Sequence, residues 1–114
     1  MSECVFCKMA RGEIEPDKVY EDEEILAFRD LNPQAPVHIL VIPKRHIATT
    51  NDIGGDDAAL VGRLVLTAAR LAKEEGVDES GYRTVLNCNA GAGQSVFHLH
   101  LHMLGGRRFG WPPG

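Results

Sequence analysis

Three of the chain's five histidines, His98, His100 and His102, occupy alternate positions in SVFHLHLHMLGG, residues 95–106, and Phe97, Leu99, Leu101 and Met103 around them are apolar. Side chains alternate sides along a β-strand, so the histidines share one face and the apolar residues the other. A rise of about 3.3 Å per residue separates neighbouring imidazoles by roughly 6.5 to 7 Å at the backbone, close enough for two rings to converge on one small group. A helix, rotating about 100° per residue, would scatter them. Three chemistries are open to such a face. Two imidazoles at i and i+2 can hold a metal ion; a neutral imidazole can attack an electrophile while its neighbours bind or protonate other groups; and the ordinary histidine pKa of about 6.5 suits a pH sensor.

The neighbouring sequence adds further candidates. The loop NAGAGQS carries Gly91, Gly93, Gln94 and Ser95, and glycine lets backbone N–H groups come close to an anion. Beside three imidazoles such donors fit phosphoryl or nucleotidyl transfer, although a glycine-rich hairpin can also be a plain turn. In AFRDLNPQ, Asp30 follows a strand end. There it can hold a ribose diol or open the turn before Pro33. CVFC places Cys4 and Cys7 in a C-x-x-C pair, which offers two of the four ligands of a closed metal site or two thiols without a metal. A redox role is disfavoured, because no strand feeds a helix there as in thioredoxin-like motifs.

These groups need a scaffold. VHILVIP, residues 37–43, reads as a strong strand, residues 17–21 and 24–29 as two short antiparallel strands, and YRTVLNC as another. Pro33 and Pro36 keep the segment between them out of a ladder. Residues 4–11 form a knuckle running into a short helix that Gly12 ends. One long helix is expected over residues 56–75, with Leu60, Val61, Leu64, Val65, Ala68, Leu71 and Ala72 on its apolar face and Gly76 as its stop. This order predicts an α+β domain with an antiparallel sheet and helices packed on it.

At 114 residues, with 44% hydrophobic and 25% charged residues, the chain is expected to be one globular domain, residues 1–114. A net charge of −4 speaks against polymeric nucleic acid as a partner. No run reaches membrane-spanning length and no secretory segment is visible, so no membrane partner is expected and the expected location is cytoplasmic. Three cysteines fit thiols or metal ligands better than a disulfide framework.

HLHLHML resembles the His-x-His-x-His-x-x signature of the histidine triad family of nucleotide hydrolases and transferases. EDEEILAFRDLNPQAPVHILVIPKRHI, GYRTVLNCNAGAGQSVFHLHLHMLGGR and the terminal WPPG extend the resemblance over nearly the whole chain, toward the Hint branch of purine nucleoside phosphoramidases. The resemblance implies a five-stranded antiparallel sheet with one long and one short helix, and two such sheets joined across a homodimer. It implies hydrolysis of the P–N bond of AMP or GMP conjugates through a nucleotidyl-histidine.

Residue by residue, His100 matches the nucleophile, His102 and Ser95 match groups at the phosphate or leaving group, and His38 matches the histidine at the back of the site. Asp30 matches the ribose-binding carboxylate. Asn87, Gly93 and Gln94 match the phosphate-side loop. Phe6, Met9, Phe28 and Leu31 fall where the family lines its base pocket, although composition alone would place such apolar residues in the core. Related transferases complete a C-x-x-C pair with a histidine before the triad and the triad's first histidine; here that implies a structural Zn²⁺ on Cys4, Cys7, His46 and His98, with no metal in the chemistry. The tail, residues 105–114, is expected to dock near the partner's active site. Trp111, whose large apolar area favours burial, would shape the leaving-group side. The non-enzymatic alternative is a nucleotide-binding interaction module with little turnover.

Overall fold

Ile25–Arg29 and Val37–Pro43 are apolar at nearly every position, the pattern of strands covered on both faces. Both are central in the fold. The computed structural model describes residues 4–114. Its sheet is built from β1 (Lys18–Glu21), β2 (Ile25–Arg29), β3 (Val37–Pro43), β4 (Tyr82–Val85) and β5 (Leu101–Gly105), all antiparallel in the order β1-β2-β3-β5-β4. A short helix α1 (Val5–Ala10) and a long helix α2 (Ala58–Glu74) complete the α+β fold.

The strand alternation sorts side chains into two cores. Ile25, Ala27, Ile39, Val41, Leu101 and Met103 meet Leu60, Leu64, Ala68 and Leu71 of α2. Leu26, Phe28, Leu40 and Ile42 point the other way and pack with Phe6 of α1. His38 and His102 occupy that second side, within strands whose opposite face is buried against α2.

Three sequence expectations need correction. The histidine strand is shorter than its alternation suggests: β5 begins at Leu101, so His98 and His100 precede it. The β3 ladder ends at Val41↔Leu101, and Pro43 has no N–H with which to prolong it. The Leu99 N–H turns instead to the Ile47 carbonyl at 2.6 Å. Phe97, expected in the core, is exposed as a result, while Leu99, Leu101 and Met103 are buried.

Secondly, Val65 is not part of the α2 core face. It is 51% exposed, because at about 100° per residue it lies far round the helix from the Leu64–Thr67–Leu71 line. Thr67, which lies outside the expected apolar set, is buried there. Thirdly, YRTVLNC is a strand only over Tyr82–Val85, since its partner β5 provides no regular pairing beyond His102.

Candidate active site

On the α1 side of the sheet a cavity of about 300 Å³ opens between α1, β2 and the start of β5. Phe6, Met9, Phe28, Leu31, Leu40 and Val96 supply its apolar wall, and Asp30, Ser95, His100 and His102 its polar end. Phe6 meets Phe28 edge-on at 5.4 Å between centroids. Leu31 is 93% exposed, so it forms a rim and not a floor. Leu40 and Val96 were not singled out from sequence. Leu40 lies directly across from Phe28 in the β2–β3 register, so correct pairing of those strands would have found it.

Each buried imidazole has one nitrogen tied to the backbone, and this decides which nitrogen carries the proton. His100 Nδ1 donates to the His98 carbonyl at 2.7 Å, which leaves the Nε2 lone pair of the neutral ring available. His102 stands beside it, with ring centroids 4.9 Å apart. Behind them the Gln34 backbone N–H donates to His38 Nδ1 at 3.0 Å, so the neutral His38 ring carries its proton on Nε2. That Nε2–H faces His102 Nδ1 at 2.9 Å, so His102 accepts at Nδ1 and holds its own proton on Nε2. Gln34 was missed from sequence. Its contribution is a main-chain group, and no residue type announces it.

Burial pushes the His102 pKa down to about 4, helped by neighbouring His100 and His38 and opposed by Asp30. The His38 pKa is likewise lowered by burial, against the pull of Asp30, whose Oδ2 lies 3.5 Å from Nε2. Both rings are therefore neutral at pH 7, and the hydrogen-bond chain is one of neutral tautomers.

A second group lies at the N-terminal corner. Donor atoms of Cys4, Cys7, His46 and His98 all fall within 4.8 Å of one another. His98 Nδ1 is 3.3 Å from Cys4 Sγ, 3.5 Å from Cys7 Sγ and 3.2 Å from His46 Nδ1, and Cys7 Sγ is 3.2 Å from His46 Nδ1. The His98 Nε2–H donates to the Pro43 carbonyl at 2.7 Å, which turns the Nδ1 lone pair toward the two sulfurs. Burial lowers the His98 pKa, which favours the neutral, ligating form. These four residues can hold a metal ion.

Asp30, His38 and His102 form another close trio, but their hydrogen bonds disfavour a metal there. His38 Nε2 is the protonated nitrogen, and freeing it would place a proton on Nδ1 against the Gln34 N–H.

The remaining sequence candidates are placed as follows. The Gln94 side chain is buried and braces the loop, accepting from the Asn89 N–H and donating to the Ala48 and Val96 carbonyls. The N–H groups of Gly93 and Gln94, expected to be open to an anion, already bond to the Ala90 and Asn89 carbonyls. Asn87 is half-buried beyond the end of β4, outside the cavity lining. Trp111 is 84% exposed and does not line the cavity of its own chain.

With this geometry in view, comparison with known proteins is decisive: the HIT domain model matches residues 11–109. The chain belongs to the HIT family. Over 108 residues it is 47% identical to the purine nucleoside phosphoramidase of Escherichia coli K12, covering 95% of this chain and 91% of that one. A HIT-like protein of Synechococcus elongatus is 55% identical over 110 residues, 96% of each chain. A HIT family hydrolase of Legionella pneumophila superposes with a TM-score of 0.97 at 56% identity, covering 98% of this chain and all of that one. A histidine triad protein of Clostridium difficile gives 0.91 at 46% identity, covering 96% and 97%. The five-stranded antiparallel sheet with one long helix is the fold of these HIT structures.

Proposed function

We propose that this protein hydrolyses the P–N bond of purine nucleoside 5′-phosphoramidates through a nucleotidyl intermediate on His100. The observation that carries the reading is the His100 ring at the polar end of an apolar cavity, with Nδ1–H held by the His98 carbonyl and the Nε2 lone pair left to attack. The 47% identity to a purine nucleoside phosphoramidase supports the substrate class.

Phe6, Met9, Phe28 and Leu31 hold the purine, AMP or GMP conjugates alike. Asp30 binds the ribose hydroxyls. Ser95 and the His102 Nε2–H face the phosphoryl oxygens and the leaving nitrogen, and His38 sits behind His102 to fix its tautomer. Asn87, Gly93 and Gln94 frame the phosphate side, Gln94 as a brace.

His100 Nε2 attacks phosphorus in line as the leaving nitrogen takes a proton from solvent, which the later attack of water returns, because an amide anion is too poor a leaving group unprotonated. The P–N bond to the amine breaks and a P–N bond to His100 forms. Water then attacks the same phosphorus, releasing the nucleoside monophosphate and returning the electron pair to His100.

The corner cluster fits Zn²⁺. Bonds of about 2.3 Å to sulfur and 2.0 Å to nitrogen in a tetrahedron put neighbouring donors roughly 3.3 to 3.8 Å apart, near the distances present. Cys4, Cys7, His46 and His98 would fill all four positions, leaving none for substrate. A bound metal would supply a structural clamp, and the Pro43 carbonyl would orient its His98 ligand.

We further propose a homodimer formed through the outer edge of β4, favoured by the unpaired side of that edge strand and by exposed Val65 and Leu66 on α2. The tail from Gly105 to Gly114 would then bring Trp111 toward the partner's leaving-group side. A cytoplasmic setting fits Cys4, Cys7 and Cys88, which form no disulfide among the described residues. Among the described residues no helix is long and apolar enough to cross a membrane.

Incubating the purified protein with adenosine 5′-phosphoramidate should release AMP. Binding of AMP without any turnover would replace the hydrolase reading with that of a nucleotide-binding interaction module.

A further inference from the structure

The loop between β2 and β3 carries Asp30 and sets the His38 ring, yet Leu31, Asn32, Pro33, Gln34 and Pro36 are exposed. Its internal bonds are polar and local. The Asp30 N–H reaches the His38 carbonyl at 3.0 Å, the Asn32 N–H reaches Asp30 Oδ1 at 2.8 Å, and Gln34 Nε2 reaches the Asn32 carbonyl at 3.0 Å. Water competes with such bonds at a surface, and no apolar side chain of the segment is fully buried to anchor it. The direction of the Gln34 N–H, on which the tautomers of His38 and His102 depend, calls for an outside hold.

The segment after β5 provides one. Arg107 Nε donates to the Gln34 carbonyl at 2.9 Å while its Nη1 donates to the Arg108 carbonyl at 2.9 Å. The same guanidinium lies 4.3 Å from the centroid of Phe109. Arg83 approaches that ring at 5.3 Å and donates to the Gly110 carbonyl at 2.9 Å, tying the segment to β4. Gly106, at φ +91°, abuts Pro36 so closely that a Cβ on it would sit 2.9 Å from the proline Cβ. The loop is thus gripped at Pro36 and at Gln34 from one side.

We propose that Arg107 is a positioning residue for the active site. By holding the Gln34 main chain it keeps the Gln34 N–H on His38 Nδ1, hence the His38 proton on Nε2, hence the His102 proton on Nε2. Without it the loop relaxes, His38 can carry its proton on Nδ1, and the His38–His102 hydrogen bond can reverse. His102 then presents a lone pair where the reaction needs a donor. An arginine suits the task because its planar fork donates in two directions while its face lies on an aromatic ring. The kinetic consequence rests on the phosphoramidase reading; the tautomer consequence does not.

The test is imidazole ¹⁵N NMR of the substrate-free protein near neutral pH, paired with kcat and KM on adenosine phosphoramidate. Wild type should show His38 and His102 as Nε2–H tautomers. In Arg107→Ala those two rings should move to mixed tautomers while His98 and His100, held by the Pro43 and His98 carbonyls, stay unchanged. kcat should fall about tenfold with KM within about twofold, a fraction of what removing one transition-state hydrogen-bond donor costs. Arg107→Lys should recover part of both effects, and Arg108→Ala should match wild type. Unchanged His38 and His102 resonances in Arg107→Ala would overturn the proposal, as would equal disturbance of all four rings. Should that variant not fold, Arg107→Gln, which keeps an amide donor without the charge, is read by the same two resonances. If wild type releases no AMP the phosphoramidase reading fails, while the tautomer comparison still decides the role of Arg107.

Discussion

The two histidine clusters lie side by side, yet their hydrogen bonding points to opposite uses. At the corner, the His98 Nε2 proton goes to the Pro43 carbonyl and its lone pair joins two sulfurs and a second imidazole. At the cavity, protons and lone pairs alternate from the Gln34 N–H through His38 to His102, and the His100 lone pair is left at the polar end. Converging lone pairs make a cation site; alternating ones make a donor chain. Residue type does not separate the two, because both are histidine-rich. The backbone groups bonded to His38, His98 and His100 do.

The contrast can be broken most severely at His100. His100→Ala should lower turnover by about 10⁴-fold or more while nucleotide affinity stays near wild type, since the apolar wall remains; steady-state kinetics and titration with AMP check this. At the corner, Cys4→Ser/Cys7→Ser should remove a bound metal and lower the melting temperature by about 10 °C or more. His98→Ala should do likewise and also disturb the segment whose carbonyl holds His100. Metal analysis with a thermal melt separates this from the His100 variant, which should keep both metal and stability. Full zinc occupancy in the double cysteine variant would remove the proposed tetrad.

A smaller effect is expected with acid. The His102 pKa of about 4 lies below its ordinary value of 6.5, so between those values the unfolded chain binds more protons than the folded one. The stability tied to neutral His102 is present in full above about 6.5 and declines as pH falls toward 4; the lowered His38 pKa acts in the same direction. Melts across this range should fall less steeply for His102→Gln than for wild type. The smallest structural effect is predicted for deletion of residues 111–114, which leaves Phe109 and the Gly110 carbonyl in place. Melting temperature should move by only about 2–3 °C, while the relative rates for different amine leaving groups change. Identical leaving-group preferences before and after deletion would count against a role for Trp111.

Much of this was legible in the sequence where apolar pattern and burial coincide. The apolar runs of β2 and β3 and the periodicity of α2 gave the sheet and its cover, and the family resemblance implied Cys4, Cys7, His46 and His98 as a set, which the fold does bring together. The failures share a cause, since each depends on where a neighbour stops. Phe97 left the core because the ladder ends at Leu101, and Val65 because the helix turned it past the sheet. Trp111 has the composition of a buried residue but no surface of its own chain over it. Gln34 and Arg107 were invisible because their contributions run through main-chain groups of an irregular loop.

In the proposed mechanism His100 attacks phosphorus and the corner cluster takes no part in the chemistry. Mixing excess protein with adenosine phosphoramidate, quenching at alkaline pH and measuring intact and peptide masses tests it most directly, in metal-replete and chelator-treated samples at a temperature where both stay folded. One adenylyl group is expected on the peptide carrying His100 in both samples, and none in His100→Ala. An adenylyl group on another residue, or AMP release that continues in His100→Ala or stops on chelation with the fold intact, would contradict it.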